Sequence, residues 1–158
     1  MKIALRDHPL LQHLPSRSFA TLMELYESNY ILMRRLAPAL DQLETTNRSL
    51  GRDGVDLHLR LLERTVYTTA VCLTHYFDPT SSPGSEPDLM IRVYHDARVA
   101  EVMPETPADG FHLWQGERPD AKSLPWRWEL NRFLNRWLRY CLGQGHVFLA
   151  DQQRVSTG

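Results

Sequence analysis

Between Val55 and Leu61 every second residue is a large aliphatic one: Val55, Leu57, Leu59 and Leu61 alternate with Asp56, His58 and Arg60. A strand turns successive side chains to opposite faces, so a period of two fits a half-buried strand and no face of a helix. A second β-type stretch follows at once and runs to Tyr76, which makes the pair a hairpin. With Glu63-Arg64-Thr65 as the connection, Leu61 faces Tyr67, Leu59 faces Thr69 and Leu57 faces Val71, and one face stays mostly apolar. A half-buried hairpin needs a covering layer, and the rest of the chain has to supply it.

Two segments change the period to that of a helix. From Ser18 to Ala37 the residues Leu22, Leu25, Tyr26, Met33 and Leu36 recur at helical spacing, with Ser16 or Ser18 as N-cap and Pro38 as the stop. Asn29 falls within the apolar stripe, so its amide must find partners in the interior. Near the C-terminus Leu130, Phe133, Leu134, Trp137, Leu138 and Cys141 form a second stripe, ended by Gly143 or Gly145, while Arg132, Arg136 and Arg139 line the other face. A short helical turn is expected from Pro38 to about Leu43, and TTNRSLGRDG reads as loop.

The run from Arg92 to Val102 gives a second hairpin. Arg92 opposite Glu101, Val93 opposite Ala100 and Ile91 opposite Val102 pairs charge with charge and apolar with apolar. This register makes Asp96-Ala97 the turn, although the favoured two-residue turns need φ > 0, so a bulge or longer loop around His95 is the alternative. FDPTSSPGSEP at 77–87 is loop by composition, and Pro104, Pro107, Pro119 and Pro125 mark another long connection in which Phe111–Trp114 supplies one more short strand. The resulting fold class is α+β: an antiparallel sheet of four to five strands made of consecutive hairpins, flanked by an N-terminal and a C-terminal helix. The 158 residues fit one domain with an ordered core over about 16–148 and a polar tail over 149–158.

Composition narrows the partners. A net charge of −1 gives no global attraction to nucleic acid or to an anionic membrane. No apolar run is long enough to span a bilayer, MKIALRDHPLLQHLPS lacks the continuous apolar core of a signal peptide, and Cys72 and Cys141 lack a CxxC spacing. The expectation is a cytoplasmic protein with reduced thiols, no nucleic acid partner and no membrane.

Glu63-Arg64-Thr65-Val66-Tyr67-Thr68-Thr69, the run Arg92-Val93-Tyr94-His95-Asp96-Ala97 with Val99-Ala100-Glu101-Val102, and Trp137-Leu138-Arg139-Tyr140-Cys141-Leu142 together resemble the YqiB-like family of uncharacterised proteobacterial proteins. Asn29-Tyr30 and Arg34-Arg35-Leu36-Ala37-Pro38 in the first helix fit as well. The resemblance spans roughly residues 20–145 and implies a domain of unknown function, so it adds no chemistry to the residues themselves.

Those residues offer one dense polar site. A strand carrying Arg, Tyr, His and Asp at close intervals must satisfy them by mutual pairing, solvent or a ligand. The expected ligand-binding set is Tyr67, Arg92, Tyr94, His95 and Arg139, suited to a small anionic ligand because guanidinium groups grip carboxylate or phosphate. The competing enzyme reading is a small hydrolase of a nucleotide or phosphoester, with His95 as general base oriented by Asp96; it requires a turn to bring the two together. Arg92 with Glu101 reads as a cross-strand ion pair. His58, His75, His95 and His112 lack the spacing of a metal site, and no GxSxG elbow or phosphate-binding glycine loop is present, so neither metal nor cofactor is expected. A protein partner, or a dimer formed through the uncovered sheet face or edge, completes the expectations.

Overall fold

The structure, a computed structural model, describes residues 18–76, 85–103 and 123–150. Helix α1 (Phe19–Leu36) leads into a 3-10 turn (Leu40–Gln42) and five strands: β1 (Thr46–Leu50), β2 (Asp56–Arg64), β3 (Thr68–Tyr76), β4 (Ser85–Tyr94) and β5 (Val99–Val102). Helix α2 (Leu124–Gly143) closes the order. The strands form one antiparallel sheet in sequence order, β1-β2-β3-β4-β5, each paired with the next. The α+β class and the meander of hairpins between two helices are therefore as expected. Residues 77–84, the Phe111–Trp114 segment with His112, and 151–158 of the tail lie outside the described residues.

Local chemistry places each end. Ser18 caps α1: its hydroxyl accepts from the Thr21 N–H, and the Thr21 side chain answers from the Ser18 N–H, so two otherwise orphaned donors are satisfied. Ser123 caps α2 more simply, its hydroxyl accepting from the Trp126 N–H, with Pro125 in the first turn. That start corrects the expectation that Pro125 belongs to the connection before the helix. Pro125-Trp126-Arg127-Trp128 lies inside the helix, where Trp126 and Trp128 are buried, because a proline at the first turn costs a helix no hydrogen bond.

Both helices cover one face of the sheet. Leu57, Leu59, Val71, Leu73, Leu89, Ile91, Val93 and Ala100 meet Met33, Leu36, Leu134 and Leu138 in a single core cluster. Leu22 packs near Leu124, Asn29 bonds Asn131, and Leu32 lines a groove with Leu142, so the helices run side by side in the same direction.

Three expectations about the strands need correction. TTNRSL is not loop: Thr46–Leu50 forms an edge strand, held because the buried Asn47 amide donates to the Glu44 and Leu59 carbonyls. Ser85-Glu86-Pro87 opens β4 rather than ending a loop. The first hairpin is displaced by four residues along β3, pairing Leu61 with Val71, Leu59 with Leu73 and Leu57 with His75. Its turn runs from Thr65 to Thr68, closed by the Thr65 N–H on the Thr68 carbonyl at 2.8 Å and by their hydroxyls at 2.7 Å. The second hairpin keeps its expected register, Arg92 with Glu101 and Val93 with Ala100, closed by a longer loop, His95 to Arg98, in which Arg98 takes a left-handed φ of 57°.

Candidate functional site

The two hairpin turns lie at the same end of the sheet and are tied there, since the His95 N–H donates to the Tyr67 carbonyl at 2.7 Å. A bulge at Leu62 sets the second half of the site. The ladder passes from Leu61 opposite Val71 to Glu63 opposite Ala70, so Arg64 pairs with Thr69 and joins the helix-covered face. There its guanidinium donates to the Leu40 and Leu43 carbonyls at 3.1 and 2.7 Å, clamping the 3-10 turn against β2.

His95 is half-buried in this corner, with Nε2 and the Thr69 hydroxyl 2.8 Å apart. Burial pushes its pKa below the ordinary value; the Arg34 charge pushes the same way, as does Arg64, while Asp41 and Asp96 oppose them. The ring's hydrogen-bond partner thus comes from β3, while charges on α1, the 3-10 turn, β2 and its own loop act on it through space. Among the described residues its Nδ1 makes no hydrogen bond. Asp96 stands in the exposed loop, and the ring's partner is Thr69.

The other expected residues separate. Arg92 and Tyr94 sit on the opposite sheet face, where the Tyr94 hydroxyl donates to Glu101 Oε1 at 2.9 Å. Burial, then the bond to Glu101, raises the Tyr94 pKa, and Arg92 opposes them. Tyr26 packs against Val99 and Tyr94 on that side, its hydroxyl buried without a hydrogen-bond partner among the described residues; burial, then the Glu101 charge, pushes its pKa up to about 12. Tyr67 is 62% exposed beside Val66 at the hairpin tip. Arg139 does not join this end: its Nε donates to Asn135 Oδ1, and it lines a groove between α1 and α2 with Glu24, Glu27 and Arg35.

A second polar group is buried at the far end of the sheet. His75 and His146 are each 1% exposed, with ring centroids 5.5 Å apart. Trp137 Nε1 donates to His75 Nδ1 at 2.9 Å, and His146 Nδ1 pairs with the Ser49 hydroxyl at the same distance. Burial, then the His146 charge, lowers the His75 pKa to about 4; Asp53 opposes, itself bound by the Tyr140 hydroxyl at 2.6 Å. The group locks the segment after α2 onto β1. Among the described residues no set of three or more His, Cys, Asp or Glu is arranged to hold a metal ion.

Sequence reasoning did not find Arg34, Asp41 or Thr69, which reach His95 only through the fold. His75 did carry a signal, because it shares the alternation of Val71 and Leu73 and so had to face the core.

The comparisons with known proteins agree on one relationship. A family model described as a protein of unknown function (DUF1249) matches residues 32–147. The uncharacterized protein YqiB of Escherichia coli K12 and that of Escherichia coli O157:H7 are each 35% identical over 130 residues, covering 80% of this chain and 90% of theirs. No solved structure matches. Among the described residues no helix is long and apolar enough to cross a membrane.

Proposed function

We propose that this chain, which belongs to the DUF1249 family of proteins of unknown function, is a small binding module that takes an anionic ligand at the hairpin end around His95. The observation that carries the reading is the setting of His95: a half-buried imidazole fixed through Nε2 by Thr69, with Nδ1 left over and two guanidinium groups, Arg34 and Arg64, near enough to disfavour its own charge. An anion entering there would meet the positive ends of three groups, reverse the repulsion on His95 and favour its imidazolium. Tyr67, exposed at the adjoining turn, can close over it.

Binding fits these residues better than turnover. A general base needs a ring nitrogen directed at substrate and a carboxylate orienting the other; here Nε2 is taken by Thr69, and no hydrogen bond joins Asp96 to the ring among the described residues. Nucleophiles are also discouraged, since burial raises the pKa of both thiols, Cys72 and Cys141.

Titration calorimetry and thermal shift with phosphate, pyrophosphate and citrate test the proposal. Saturating anion should raise the unfolding midpoint, and His95→Ala or Arg34→Ala should weaken binding about tenfold while leaving the fold intact. No stabilisation by any of the three, or equal stabilisation of both variants, removes the site.

A further inference from the structure

We propose that two copies of this chain associate through the outer face of α1, in an antiparallel pair about a two-fold axis. Glu24, Ser28, Ile31 and Arg35 follow one another at four, three and four residues along α1 and so form one stripe, with Glu27 beside it. The stripe borders a groove of about 500 Å³ whose far wall carries Arg139 from α2. It is acidic toward the N-terminal half of the helix and basic at its end, with an exposed aliphatic residue, Ile31 at 53%, in the middle.

Such a stripe complements its own reverse. An axis through the midpoint of Ser28 and Ile31 sets Glu24 of one copy against Arg35 of the other, twice, and seats each Ile31 over the small Ser28 of its mate. Glu27 then faces the Arg139 side of the opposite groove, where the Nε of that guanidinium is already held by Asn135 and its terminal nitrogens remain to bind. Among the described residues none of Glu24, Glu27, Arg35 and Arg139 makes an ion pair within the chain, although opposite charges border the same groove. The alternative route through the β5 edge is closed, because side chains from α1 and α2 already occupy its outward backbone groups.

The test is sedimentation equilibrium on the full chain and on charge-reversed variants. The native chain should dimerise with a dissociation constant in the micromolar range, as expected of a small helix-pair contact. Glu24→Arg alone and Arg35→Glu alone should each raise that constant about tenfold or more, since each puts like charges together at both ends of the axis. Mixing the two single variants should restore association, because both ends of the mixed pair are then oppositely charged, and the double variant E24R/R35E should self-associate. Ile31→Asp should dissociate the pair independently of those charges. A native chain that stays monomeric to about 1 mM overturns the proposal. So does a dimer that survives both single variants, or a mixture that fails to recover while both variants keep the native circular dichroism.

Discussion

The side chains of Asn29 and Asn131 meet 3.3 Å apart over the outer edge of β5 and divide its backbone groups between them. Asn29 Nδ2 donates to the Ala100 carbonyl at 3.4 Å, and Asn131 Oδ1 accepts from the Val102 N–H at 2.9 Å. Asn135 extends the chain of amides by donating to Asn29 Oδ1 and the Ser28 hydroxyl. The backbone groups on the outer edge of β5 are thereby taken by side chains of two helices, and the asparagine in the apolar stripe of α1 has the partners that its burial requires.

Replacing either residue by leucine leaves buried backbone groups unsatisfied. Asn131→Leu should cost about 3 kcal/mol and Asn29→Leu about 2, because the bonds of Asn131 are shorter and include an N–H with no other acceptor. The double variant should lose less than the sum, since the amides share one bond. Urea denaturation of the three variants measures this; additive losses would mean that the amides act independently.

The success or failure of sequence reading follows from what each element asks of its residues. Arg92 to Val102 admitted one register, because only that one pairs charge with charge. The first hairpin did not: moving β3 by four residues returns every side chain to the same face, so apolar patterning cannot detect the slip and the Thr65 and Thr68 hydroxyls decide it. Thr46–Leu50 was illegible as a strand, since its one large apolar residue, Leu50, is exposed and its inward residue is Asn47. For the site, position 95 could be picked out as polar and functional in type, whereas its hydrogen-bond partner comes from β3 and the charges acting on it from α1, the 3-10 turn and β2, and no local spacing encodes that meeting.

Acid should unfold this protein through its buried histidines. His75 has a folded pKa of about 4 against an ordinary value of 6.5, so between those values the unfolded chain binds more protons and stability falls as pH falls. The loss attributable to His75 is about 3 kcal/mol, complete only below pH 4. His146 is shifted the same way, by burial, and adds to the slope. Urea midpoints measured from pH 7 to pH 4 should drop steeply, and His75→Gln should flatten the profile; an unchanged slope in that variant would assign the effect to other groups.

Gly51 has no room for a side chain. A Cβ there would lie 2.6 Å from His146 Nε2 and 2.9 Å from Asp53 Oδ1, both parts of the group that fastens the segment after α2. Gly51→Ala should therefore destabilise the fold by about 1–3 kcal/mol. If the cause is that contact, His146→Ala should absorb much of the cost, so the double variant should be more stable than the two single losses predict. Strict additivity in the thermodynamic cycle would place the cost in the backbone instead.

The two thiols should differ in how they can be woken. Cys141 is fully buried, and burial with the Asp53 charge pushes its pKa up to about 12, so it should stay silent to thiol reagents at about pH 8 until the protein unfolds. Cys72 is also raised, by burial and then by the bond its Sγ donates to Asp88 Oδ1 at 2.8 Å. On that strand pair the carboxylate both accepts from the thiol and repels a thiolate. Asp88→Asn removes the repulsion, and Cys72 should then react about three- to tenfold faster, with Cys141 as an internal control that does not change. Mass-resolved alkylation of the native protein reads both sites at once. If Cys141 accelerates together with Cys72, the variant has loosened the fold and the carboxylate does not govern the thiol; if neither accelerates, burial alone holds Cys72 in its protonated form.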